Sequence, residues 1–144
     1  MVWVDVIIPA GDRLWHADVG EAAWWVGATW VAALDAVAAG PAQVWRGAMQ
    51  RTRWSERVCF AGLGPGEVCL DGRKVVGVSQ RRTRMGALFQ SAVLLQWDPA
   101  ALLALLRMDE TERKQGVAAL AAVAGGVGPQ HASAVVDAFL AALP

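Results

Sequence analysis

The segment from Cys59 to Gln80 constrains this chain more than any other stretch. It passes from a turn rich in Gly and Pro, Gly62-Leu-Gly-Pro-Gly66, into Glu67-Val68-Cys69-Leu70, then an Asp71-Gly72 pair, then Arg73 to Gln80. Two β-prone runs around Asp-Gly predict a short strand, a tight turn and a second strand. Lys74 thereby falls at a strand start, beside glycines that let a ligand approach the backbone. A fixed cation in that place suits an acyl or phosphoryl oxygen.

The rest of the chain must supply a core for that hairpin. Hydrophobic residues make up 56% of the 144 and charged residues only 18%, which excludes disorder and predicts one packed globular domain. Formal net charge is zero, so the whole chain is no polyelectrolyte binder. The charge is unevenly spread, however. From Arg46 to Arg84 there are eight arginines and Lys74 against Glu56, Glu67 and Asp71, an excess of six. A basic centre of this kind suits an anionic ligand or an acidic partner surface.

Cys59 and Cys69 are too few for a disulfide framework, and Asp5 interrupts the apolar N-terminal run that a secretory signal needs. A reducing cytoplasm is the default expectation. The uncharged stretch from Gln115 to Val136 is broken by Gly125, Gly126, Gly128, Pro129, Gln130 and His131, so no membrane association is expected.

Val2 to Ile8 is β-rich and stops at Pro9. Asp18 is placed to cap a helix from about Val19 to Ala39, closed by Gly40-Pro41, whose Trp24, Trp25, Ala28, Val31 and Ala32 share a face for packing on a sheet. Short strands are expected at Gln43–Arg46, Arg57–Phe60, Glu67–Leu70, Lys74–Arg82 and Ala87–Gln96, with a hairpin turn at Thr83-Arg84-Met85-Gly86. Asp98-Pro99 opens a helix, Asp109 another to about Val123, and a third spans about His131 to Leu143. Strand, helix, antiparallel strands, helices is an α+β order, with a mixed, largely antiparallel sheet packed by helices.

A lysine at a strand start is ordinarily a solvated charge, and a cysteine is ordinarily a small buried hydrophobe. Here both sit in a specific context. Gly72-Arg73-Lys74-Val75-Val76-Gly77-Val78-Ser79-Gln80 resembles the lysine motif of the biotin/lipoate protein ligase superfamily. The resemblance extends upstream to Glu67-Val68 and downstream through the Gln90 strand to Trp97-Asp98-Pro99. It implies a lipoate–protein ligase-type fold over residues 1–144, with a helical C-terminal region from about 98 to 144. It also implies that Lys74 holds the acyl carboxylate or the α-phosphate of an acyl-adenylate. Gly72, Arg73, Gly77, Ser79, Gln80 and Glu67 are then the substrate-binding positions. The spacing of Cys59-Phe60 to Glu67 and Gly-Arg-Lys is similar to that around the nucleophilic cysteine of octanoyltransferases, which implies a thioester at Cys59.

What the resemblance implies of the reaction is lipoyl or octanoyl transfer to a lysine of lipoyl carrier domains, those of 2-oxoacid dehydrogenases or of a glycine cleavage H-type protein. Lipoate or octanoate is the substrate, with ATP and Mg²⁺ if the route is a ligase's. Gly66-Glu67 stand where the ligases usually show Asn-Asp, and the superfamily's N-terminal arginine–glycine signature is absent from these residues. The resemblance therefore implies the C-terminal portion of a catalytic domain, completed by an N-terminal partner chain or a homodimer, or else a non-catalytic subunit that acts by partner binding.

Nucleic-acid binding is not expected. Arg81-Arg82-Thr83-Arg84 lacks aromatic interleaving and reads as strand-end charge or as a dock for an acidic carrier. No metal site is expected, since His16 and His131 have no ligand spacing with Cys or acidic residues.

Overall fold

A computed structural model describes residues 1–144. Strand β1 spans Val2–Pro9, and helix α1 Trp24–Ala36 follows it. Strands β2 (Ala42–Val44), β3 (Val68–Leu70), β4 (Arg73–Arg82) and β5 (Gly86–Val93) come next, then helices α2 (Pro99–Ala104), α3 (Glu110–Val123) and α4 (Ala134–Ala141). The five strands form one sheet in the order β1-β5-β4-β3-β2, and every pairing is antiparallel. The α+β expectation holds. The mixed character does not, apart from one isolated parallel bridge between Lys74 and Ala124.

Side chains alternate across a strand, and that alternation gives the sheet two different faces. Opposed residues share a face, so Val4, Ser91 and Val78 lie on one side while Trp3, Ala92 and Gly77 lie on the other. The first face carries the main core. Val68, Val76, Phe89 and Val93 are buried beneath α1 and α4, Trp25 packs edge-on against Phe89 with ring centroids 5.3 Å apart, and Trp30 stacks on Phe139 at 4.2 Å. Trp25 is only partly buried, whereas each fully buried aliphatic or Phe side chain of this core contributes about 1.5–3 kcal/mol. The second face is covered only in part. A smaller core of Trp54, Val58, Ala61, Leu103 and Leu120 lies there, between residues 54–61, α2 and α3.

The β3–β4 turn has the predicted form. Asp71 and Gly72 both take positive φ, 49° and 76°, as the primed turns of two-residue hairpins require. Asp98 caps α2 by accepting from the Ala101 N–H at 2.9 Å, with Pro99 at the first helical position, and Asp109 caps α3 through the Glu112 N–H at 2.7 Å.

Several boundaries differ for local reasons. Arg57–Phe60 is not a strand. The Val58 N–H turns back to the Trp54 carbonyl, and Cys59–Ala61 form a single 3-10 turn. Asp18 accepts from the Gly20 and Glu21 N–H groups, so it caps a 3-10 turn at Glu21–Ala23, and α1 proper starts at Trp24. That helix ends early, because Ala38 takes φ 53° and Ala39 N–H reaches back to the Leu34 carbonyl, a left-handed C-terminal cap that glycine usually supplies. Gly128 at φ 104° and a 3-10 turn at Pro129–His131 delay α4 to Ala134. Strand β2 is shifted to Ala42–Val44, and β5 stops at Val93. No helix is long and apolar enough to cross a membrane.

Candidate functional site

Between β3 and β4 the register shifts at Val68/Cys69, an irregularity that redirects side chains locally. Lys74 turns under the loop that carries residues 59–67 and is only 3% exposed. Its ammonium has three N–H groups, and three oxygens receive them. They are Glu67 Oε2 at 2.7 Å, the Gly62 carbonyl at 2.9 Å and the Cys59 carbonyl at 3.3 Å. The Phe60 ring closes the remaining side, its centroid 4.9 Å from Nζ. The glycine-rich turn thus wraps the lysine with its own carbonyl groups.

Glu67 is equally enclosed. Oε2 also accepts from the Gly64 N–H at 2.7 Å, and Oε1 accepts from the Val78 N–H at 3.2 Å. Breaking a buried pair of this kind strands a charge away from water. Gly66, one residue earlier, takes φ +83°, and a side chain on it would meet Ala23 of the turn before α1 at 2.5 Å. This glycine is therefore required by the helix packed on the loop rather than by a ligand.

A cavity of about 420 Å³ opens on the second face of the sheet, within the range of small-molecule sites. Val58, Phe60, Ala92, Leu94, Trp97 and Leu102 form its apolar walls, and Arg57, Cys59, Glu67, Ser79 and Gln90 bring polar groups to it. Cys59 is exposed there. Gly77 also lines the cavity, and a side chain at that position would press on Phe60 at 3.2 Å. The structure thus gathers Cys59, Glu67, Gly77 and Ser79 around one space, with Lys74 directly behind Glu67.

Other expected positions lie elsewhere. Gln80 is on the α1 face of the sheet, where its amide sits beside the Val19 carbonyl and Arg82. Arg73 lies against Gly125, and Gly72 borders a separate small cavity together with Cys69. Burial pushes the Cys69 thiol above its ordinary value, with the Glu67 charge adding to the effect. Arg82 donates to the His16 and Ala17 carbonyl groups and stacks over Trp15, so it braces the loop before α1.

Arg57, Trp97, Leu94 and Leu102 were not singled out as site residues from the sequence. Period-two alternation along β5 does place Gln90 and Ala92 on the face of Ser79, which is a legible signal. The three apolar walls from residues 57–60, 94–97 and α2 have none. Glu67 is the single carboxylate lining the cavity, and it is engaged by Lys74, Gly64 and Val78. No group of three or more His, Cys, Asp and Glu side chains gathers anywhere. The donor set facing the cavity therefore does not fit a resident Mg²⁺ with nucleotide, which takes at least one free carboxylate.

A family model described as the biotin/lipoate A/B protein ligase family matches residues 10–98, more than half of the chain. No curated protein and no solved structure matches.

Proposed function

This chain belongs to the biotin/lipoate A/B protein ligase family, and on that premise we propose that it carries out acyl transfer through Cys59, moving an octanoyl or lipoyl group to a lysine of a lipoyl carrier domain. The observation that supports the reading is an exposed cysteine at an apolar cavity of about 420 Å³, sized for a medium-length aliphatic chain. Transfer then runs in two displacements. The Cys59 thiolate attacks the carbonyl carbon of an acyl thioester, and the carrier's thiolate leaves. The carrier-domain amine next attacks the Cys59 thioester, an amide forms as the carbon–sulfur bond breaks, the Cys59 thiolate is released, and the amine's proton passes through solvent to the thiolate that left in the first displacement.

Each nearby group has a physical part in this. Lys74 holds the Cys59 carbonyl and so fixes the backbone from which the thiol projects. Arg57 lines the same cavity while its guanidinium is paired with Glu112 at 2.8 Å, which places a cation at the wall where an oxyanion develops. Ser79 and Gln90 offer hydrogen bonds at the cavity wall. The adenylate route of the ligases draws no comparable support, because the one acidic group at the cavity is already paired.

Incubation with an octanoyl thioester donor, followed by intact-mass measurement, tests the proposal. Wild type gains one acyl group and passes it to a lipoyl domain, while Cys59→Ser gains none. Equal transfer by the two proteins rejects the thioester route. A second reading, a subunit that acts by binding a partner, has one observation in its favour. Strand β1 is a sheet edge flanked by exposed Trp3 and Ile7, the kind of surface that pairs with another chain. Monomeric behaviour across a wide concentration range, together with active acyl transfer, would remove it.

A further inference from the structure

The second displacement needs a group that the acyl cavity does not supply. A lysine arrives as an ammonium at neutral pH, and an apolar cavity disfavours an unpaired charge. Glu67, the one carboxylate lining the cavity, is already engaged by Lys74, Gly64 and Val78. Asp5 stands just outside. It lies opposite Gln90, and Gln90 lies opposite Ser79, so the three make one polar row across β1, β5 and β4. The adjacent row on the same face, Trp3, Ala92 and Gly77, lines the cavity, as do Gln90 and Ser79. The Asp5 side chain is exposed, and two cavity-lining residues hold its carboxylate. Oδ1 accepts from the Trp3 indole N–H, and Oδ2 accepts from the Gln90 amide at 3.3 Å. No basic side chain pairs with it. Arg81 belongs to the row beyond, opposite Leu88, and Arg57 is taken by Glu112 at 2.8 Å. Asp5 is thus a directed anion, free of a countercharge, at the rim of the cavity.

We propose that Asp5 receives the ammonium of the acceptor lysine at this rim and positions it for entry to the cavity. The inference rests on the acyl-transfer reading and adds to it the residue that selects a lysine as acceptor. Asp5 is a docking group and not the base at the thioester. A carboxylate favours the ammonium form, whereas burial favours the neutral amine. The lysine therefore docks charged on Asp5, gives its proton to solvent at the rim, and enters the cavity as the amine that attacks the thioester. Neighbouring strands lie about 4.8 Å apart, so the move from Asp5 past Gln90 is within the swing of a flexible four-carbon stem. An exposed ion pair contributes little in open water. Its weight grows once the carrier domain covers the rim and excludes water, and charges placed this way govern encounter and choice of partner.

The test uses the full chain with Cys59 octanoylated beforehand and the donor removed, and follows loss of the acyl mass to two nucleophiles. One is a lipoyl domain, and the other is hydroxylamine, which is uncharged at neutral pH. Asp5→Asn is expected to slow transfer to the lipoyl domain about tenfold and loss to hydroxylamine less than twofold, with Asp5→Glu recovering most of the lysine rate. Equal lysine transfer by Asp5→Asn and wild type overturns the proposal. Equal slowing of both nucleophiles overturns it as well, since a merely structural effect would act on each. Titration of unacylated protein with the lipoyl domain gives a readout that needs no chemistry. Asp5→Asn should weaken binding of the lipoyl domain at least threefold, and binding of a lipoyl domain whose acceptor lysine is replaced by Met less than twofold. That difference without any acylation of Cys59 sinks only the transfer reaction, whereas acylation without that difference sinks only the role of Asp5.

Discussion

Lys74 and Glu67 show how a residue chosen for one role is held by another. Replacing Lys74 with Met leaves Glu67 buried with two N–H donors and no countercharge, so unfolding free energy should drop by about 3–5 kcal/mol. Urea denaturation measures it, and the Lys74→Met, Glu67→Gln double variant should recover part of that loss, because the stranded charge is then gone. The two cysteines should also separate. Cys59 is exposed, whereas Cys69 is half-buried with its thiol raised, and the thiolate is the reactive form. Iodoacetamide at pH 8 should therefore modify Cys59 well before Cys69, as peptide mapping will show. The raised Cys69 value has a further consequence. The native state keeps that proton after an unfolded thiol, near 9.0, has lost it. Its contribution to stability is full below that value and disappears as pH rises through the folded one. At this scale the sequence displayed Cys59, Glu67, Gly77 and Ser79 as neighbours in a motif. It did not display that the lysine's hydrogen bonds are filled by Gly62 and Cys59, since carbonyl direction depends on how a loop folds back.

Elements tell a similar story about what local signals carry. The caps at Asp98 and Asp109 and the Asp71-Gly72 turn rest on contacts within four residues, and they appear where expected. Arg57–Phe60 fails as a strand because β-prone residues there have no neighbour strand to pair with, and a 3-10 turn satisfies the backbone instead. The loop at Gly64–Gly66 is shaped by α1. A Gly66→Ala change combines an unfavourable left-handed backbone with a clash against Ala23, and should cost about 2–4 kcal/mol. Thermal unfolding checks this, with a wild-type midpoint as the refuting outcome. Likewise, Leu120 is fully buried between α3, α2 and Trp54. Truncating it to Ala should cost about 2–5 kcal/mol and loosen the wall that carries Trp97, whose indole N–H donates to the Leu120 carbonyl at 3.0 Å.

The whole molecule is a sheet with one face closed and one face half open. Its closed side is dictated by the α1 and α4 core, and its open side leaves Trp3 at 57% and Ile7 at 75% exposure beside the unpaired edge of β1. Asp5 lies between them on the same face and accepts from the Gln90 amide, a charge that restrains edge pairing without abolishing it. Ile7→Lys should thus lower any self-association seen by sedimentation velocity at high concentration, with little change in stability. An unaltered concentration dependence would show that this edge is not used.

By itself the sequence determined the α+β order of elements, the Asp71-Gly72 hairpin and the family, because these rest on periodicity, turn chemistry and a motif that are local along the chain. Only the tertiary structure decided that the sheet is wholly antiparallel, that Lys74 is enclosed by Glu67 and a glycine-rich loop, and that three distant segments wall an acyl-sized cavity. Those outcomes depend on which segments meet across the sheet, and packing between residues far apart in sequence leaves no pattern in the residues taken in order.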